Sequence, residues 1–143
     1  MTPSPTATPV PTGCRSDSCT AAGTYGEITS ALGVAFFRGE SIEVDLTGSI
    51  TLSAPLEISN GAVVTFKSSN GMGELDGGGA GRVMEVEGVG TRVVVDGVTV
   101  RDGNAGTCAY YCHGGCMHVD NGAKLELDGA KVFGCSAVVS RHL

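Results

Sequence analysis

An internal repeat of alternating apolar residues constrains this chain more than any other feature. Leu56-Glu57-Ile58, Met84-Glu85-Val86 and Met117-His118-Val119 each place two apolar side chains two residues apart. Each is followed by a glycine-containing turn: Ser59-Asn60-Gly61-Ala62, then residues 87–91, then Asp120-Asn121-Gly122-Ala123. A second alternating pair comes next, Val64 with Phe66, Val93 with Val95, and Leu125 with Leu127. The last two copies continue with Asp96-Gly97 and Asp128-Gly129, then with Val98-Thr99-Val100 and Ala130-Lys131-Val132. Gly103-Asn104-Ala105 is echoed by Cys135-Ser136-Ala137. The copies start 28 and 33 residues apart. The alternating runs keep their length, and residues 101–115 absorb the difference, as an insertion loop does.

Period-two alternation buries one face of a strand and wets the other. An antiparallel sandwich needs hairpins whose turns have no reason to recur. Here the same strand order recurs in phase, so equivalent strands stack in parallel as a solenoid. Leu56, Met84 and Met117 then form one inward ladder, and Phe66, Val95 and Leu127 another. A fully buried aliphatic side chain contributes roughly 1.5–3 kcal/mol, so one coil cannot hold itself together and a stack can. The predicted class is all-β, a parallel β-helix.

Further alternating runs, IEVDL at 42–46 and SITL at 49–52, extend the pattern toward the N-terminus. Ahead of them, residues 24–38 predict a helix. Ile28, Leu32, Ala35 and Phe36 form an apolar stripe, and Thr24 with Glu27 has capping-box spacing. Open solenoid ends expose strand edges and core, so this helix is expected to cap the N-terminal end. The C-terminus shows no such device, and the sequence predicts truncation where another coil would begin. Residues 1–20 read as a Thr/Pro-rich tether with a cysteine pair, four of the five prolines falling in TPSPTATPVPT. Residues 21–143 form the β-helix domain, with its coils over 40–143.

Nine basic against fifteen acidic side chains leave a net charge of −6, which argues against nucleic acid as a partner. No apolar run reaches the roughly 18 residues of a membrane span, and the N-terminus does not read as a signal peptide. Glycine is abundant at 23 residues without a collagen period, which favours many tight turns. Six cysteines, at 14, 19, 108, 112, 116 and 135, point to an oxidising, extracellular or cell-surface setting.

Glu74-Leu75-Asp76-Gly77-Gly78-Gly79 resembles the "I-D-G-G-G" element of pectate-lyase-like right-handed parallel β-helix proteins, as does the order of helix and early strands before it. Gly114-Gly115-Cys116-Met117-His118-Val119 through Gly134-Cys135-Ser136-Ala137 resembles the repeats of polymorphic outer-membrane-type surface proteins. Cys116 and Cys135 depart from the usual residues of that pattern. The resemblance implies a right-handed parallel β-helix. It leaves activity open, because this superfamily includes lyases, hydrolases, epimerases, adhesins and inert stalks.

Glu57, Glu85 and His118 occupy equivalent outward positions and would stack in a column able to bind a divalent cation or do acid–base work. Alternation alone also makes such positions polar. Cys108, Cys112, His113 and Cys116 invite zinc, but the spacing is not that of a zinc ribbon. Disulfides are the expectation. Cys14 with Cys19 would close a small loop, Cys135 would complete bridges within or beside the long loop, and the pairing stays open. The loop would then be a pinned protrusion with Tyr110 and Tyr111 at its tip, a contact patch for a glycan or surface protein. The expected function is an extracellular structural, adhesive or binding module without catalysis and without a cofactor. The alternative is an N-terminal fragment of a polysaccharide lyase or epimerase, in which calcium would have a place. An ice-binding solenoid wants Thr-x-Thr ladders, and only isolated Thr51, Thr65 and Thr99 are present.

Overall fold

The computed structural model describes residues 19–39, 41–108 and 115–139. The predicted tether therefore lies outside the described residues, apart from its last two positions. The chain is mostly β with one helix, and every sheet is parallel.

The chain opens with β1 (Cys19–Ala22) and α1 (Tyr25–Arg38). It then makes a first pass of three strands, β2 (Ser41–Leu46), β3 (Ser49–Thr51) and β4 (Leu56–Ile58). A second pass contains β5 (Val63–Lys67), β6 (Glu74–Asp76) and β7 (Met84–Glu87). The third begins with β8 (Arg92–Asp96) and β9 (Thr99–Arg101), then adds β10 (Asn104–Cys108) before β11 (Met117–Asp120). The last strands are β12 (Lys124–Asp128), β13 (Lys131–Phe133) and β14 (Ser136–Val139). One sheet runs β1-β2-β5-β8-β12, a second β3-β6-β9-β13 and a third β4-β7-β11, visited in that order on successive passes, while β10 and β14 form a separate two-stranded sheet.

The register follows the sequence repeat. Leu56 pairs with Met84 and Met84 with Met117, while Phe66 pairs with Val95 and Val95 with Leu127. Asn104 pairs with Ser136, matching the echo in the sequence. A third ladder, Ile50, Leu75, Val100 and Val132, adds β6, a three-residue strand that sequence alternation alone did not reveal. Inward residues of the first two passes are fully or nearly fully buried and form one core. The last members of the ladders differ. Val119, Leu127 and Val132 are exposed although their register matches the buried residues beneath them, because no strand lies over them among the described residues.

Turns repeat as well. The amide of the fourth residue bonds the carbonyl of the first in three successive turns, from Ala62 to Ser59, Thr91 to Gly88, and Ala123 to Asp120. Asn60-Gly61 and Asn121-Gly122 take positive φ at both residues, a backbone shape that Asn and Gly adopt most readily. The buried Thr91 hydroxyl accepts the Gly61 amide at 2.9 Å, tying one turn to the turn below.

Thr24 caps α1 as predicted, its hydroxyl accepting the Glu27 amide at 3.1 Å. Glu27 in return accepts from the Gly23 amide at 2.8 Å, and Gly39 closes the far end in the left-handed region. The buried stripe is Ile28, Ala31, Leu32 and Ala35. Phe36, expected within it, is instead partly exposed. Ala31 and Ala35 let the helix approach β1 and β2 closely, which displaces the larger ring to the rim.

Candidate functional site

The predicted outward column forms. Parallel pairing places Glu57 beside Glu85 and Glu85 beside His118, with Glu87 beside Asp120 in the adjacent row. Neighbouring strands lie about 4.8 Å apart, so adjacent carboxylates feel one another directly. Arg82 offsets part of that charge, its guanidinium lying 3.3 Å from the Glu85 carboxylate. A cleft of about 50 Å³ opens between Glu57, Ser59, Glu85 and Glu87. It has room for a water or two and falls far below the roughly 300 Å³ at which small-molecule pockets begin.

Calcium, which the lyase resemblance implies, takes six to eight oxygen ligands. The column supplies two glutamates and one imidazole, and one of the glutamates already faces Arg82. Among the described residues no group of three or more His, Cys, Asp or Glu side chains is placed to hold a metal ion. The residues of the column do not fit a calcium site.

The base of the long loop is closed by two contacts. Cys116 and Cys135 form a disulfide, with Cα atoms 5.1 Å apart, that joins the residue just before β11 to the turn just after β13. Gly103, at the other stem, lies so close to this bridge that a Cβ there would sit 2.6 Å from both the Cys116 Cα and the Gly115 carbonyl oxygen. Only glycine permits that approach. Asp102 adopts a left-handed φ of 58° beside it and donates its amide to the Phe133 carbonyl. The two stems are thereby held against each other. Tyr110, Tyr111 and Cys112 lie outside the described residues, as does Cys14. Cys108 ends β10, and Cys19 is disulfide-bonded.

Two features escaped the sequence. Between α1 and the first pass lies an apolar groove of about 320 Å³, walled by Tyr25, Leu32, Phe36, Pro55 and Leu56 with Glu57 at one side. The misassigned Phe36 was its only sequence signal. On the second sheet Arg101 bridges two passes, reaching Glu74 at 3.1 Å, Asp76 at 3.3 Å and Asp102 at 2.5 Å. The hydrogen bonds that Arg101 donates to Glu74 and then to Asp102 raise its pKa above its ordinary value, so its charge is present at every working pH. Lys67 with Glu43 at 2.9 Å, and Arg92 with Glu126, are further ion pairs between neighbouring passes.

No family model, curated protein or solved structure matches this chain. The functional reading therefore rests on its own geometry. Among the described residues no helix is long and apolar enough to cross a membrane.

Proposed function

We propose that this chain is a right-handed parallel β-helix module of a secreted or cell-surface protein, serving to hold out a binding loop rather than to catalyse. The observation that carries this reading is the locked loop base, where the Cys116–Cys135 bridge and the close approach at Gly103 clamp both stems. A rigid base lowers the ordering cost that a loop meets on binding. The disulfide supports an oxidising compartment, and outward charges engaged between passes support a structural role for the sheet faces. The ligand class is a glycan or a surface protein, contacted by Tyr110 and Tyr111.

Pull-down from glycan and extracellular-protein panels, with the wild-type chain and with Tyr110→Ser/Tyr111→Ser, tests the proposal. Retention by the wild type that falls at least tenfold in the double variant is expected. Equal retention by both would remove the loop from the account.

The registered Glu57–Glu85–His118 column favours a second reading, a carbohydrate-active β-helix of lyase type. Incubation with uronic-acid polymers, following the ultraviolet absorbance of unsaturated products, decides it. A flat trace ends that reading.

A further inference from the structure

The groove between α1 and the first pass combines an apolar interior with a carboxylate at its edge. Tyr25, Leu32 and Phe36 recur at helical spacing, so one side of α1 faces the opening. Pro55 and Leu56 form the other bank, and Glu57 stands beside them. Leu32 and Leu56 are buried and make the floor, while Tyr25 and Phe36 are partly exposed and make the walls. The volume of about 320 Å³ falls at the lower end of the roughly 300–1,000 Å³ of small-molecule sites.

That combination selects a ligand class. Among the described residues no Lys or Arg reaches Glu57, whereas its neighbour Glu85 is paired with Arg82. The negative edge repels an anion. A bare metal ion wants oxygen ligands on most sides, and the leucines and Phe36 supply none. Thr29 has already donated its hydroxyl to the Gly26 carbonyl. Glu57 and the Tyr25 hydroxyl are then too few to satisfy the hydroxyls of a sugar ring. An uncharged apolar molecule would fill the groove but strip water from Glu57 without replacing it. A cation clothed in alkyl groups meets every demand, packing on the apolar floor while aromatic faces and the carboxylate attract its charge. We propose that this groove binds a small organic cation of the alkylammonium class, with Tyr25 and Phe36 as aromatic walls and Glu57 as counter-ion. The site is separate from the loop base and does not rest on the binding role of the loop.

Titration of the isotopically labelled full chain with choline, followed by amide chemical-shift changes, tests it. The uncharged tert-butyl analogue of choline, in which carbon replaces the charged nitrogen, is the control of equal shape. Choline is expected to shift the amides of Tyr25, Gly33, Leu56 and Glu57 saturably, and to bind about tenfold tighter than the analogue. Glu57→Gln should weaken choline about fivefold and leave the analogue unchanged. Gly33→Leu, at a position where a Cβ meets nothing within 4 Å, sets a side chain at the groove and should abolish both. Glu43→Gln, on the first sheet, should alter neither, which separates the site from the general pull of a chain of net charge −6. Far-UV circular dichroism matching the wild type establishes that each variant is folded. Equal binding of choline and its analogue would assign the groove to an uncharged molecule and overturn the proposal. Absent shifts at the groove, or equal losses in Glu43→Gln and Glu57→Gln, overturn it as well.

Discussion

Replacing Phe66 by alanine probes the stacked core where the ladders make their most specific demand. Phe66 is fully buried in the second pass, between Val44 below and Val95 above. Truncation of so large a buried ring, packed between neighbouring passes, leaves a cavity, so Phe66→Ala is expected to cost about 3–5 kcal/mol. Leu127 belongs to the same ladder and has the same alternation in sequence, yet it is half exposed. Full burial of such a side chain contributes roughly 1.5–3 kcal/mol, so Leu127→Ala is expected to cost about 1 kcal/mol. Val94, on the outward face of the strand carrying Val95, should cost about 0.5 kcal/mol or less on truncation. Urea titrations of dilute protein, followed by circular dichroism, compare the three. With a slope near 2 kcal/mol per molar urea, Phe66→Ala lowers the midpoint by about 2 M and Leu127→Ala by about 0.5 M. Equal losses at 66 and 127, or a Phe66→Ala cost below about 1 kcal/mol, would refute the stacked arrangement.

Other substitutions test separate parts of the structure. Cys135→Ser opens a bridge spanning 19 residues, and chain entropy puts the loss at about 3 kcal/mol, read as a lower thermal midpoint that reductant no longer alters by as much. Gly103→Ala forces a side chain onto the Cys116 backbone and should destabilise by about 1–3 kcal/mol in urea. Gly33→Ala, where a Cβ meets nothing within 4 Å in mid-helix, should instead stabilise by about 0.5–1 kcal/mol. Thr24→Ala removes the cap of α1 and should cost about 1 kcal/mol in the same titration.

The repeat was legible because its inward residues are large, aliphatic and strictly alternating. Leu56, Met84 and Met117 could be aligned by eye, and the register agrees. β6 was not legible, because three residues with a single apolar member, Leu75, carry too little periodicity to stand out. Phe36 was misplaced because helical spacing identifies an apolar side of a helix but not how near its axis lies to the core; two alanines decided that. The Glu57–Glu85–His118 column was readable once the register was assumed. The groove beside Pro55 and the Arg101 network were not, since both depend on which turns and strands meet across passes. The exposure of Leu127 illustrates the same boundary, because alternation specifies a direction and burial requires a neighbour on each side.

Methyl-selective NMR tests the stacking of equivalent strands most directly. The chain has four methionines, and only Met84 and Met117 occupy paired inward positions, while Met72 is exposed. With methionine methyl groups labelled, a cross-peak between the methyls of Met84 and Met117 is expected, along with contacts from Met84 to Leu56 and none from Met72 to either. Absence of the Met84–Met117 cross-peak, or close Hα–Hα contacts of the antiparallel kind between their strands, would contradict the account.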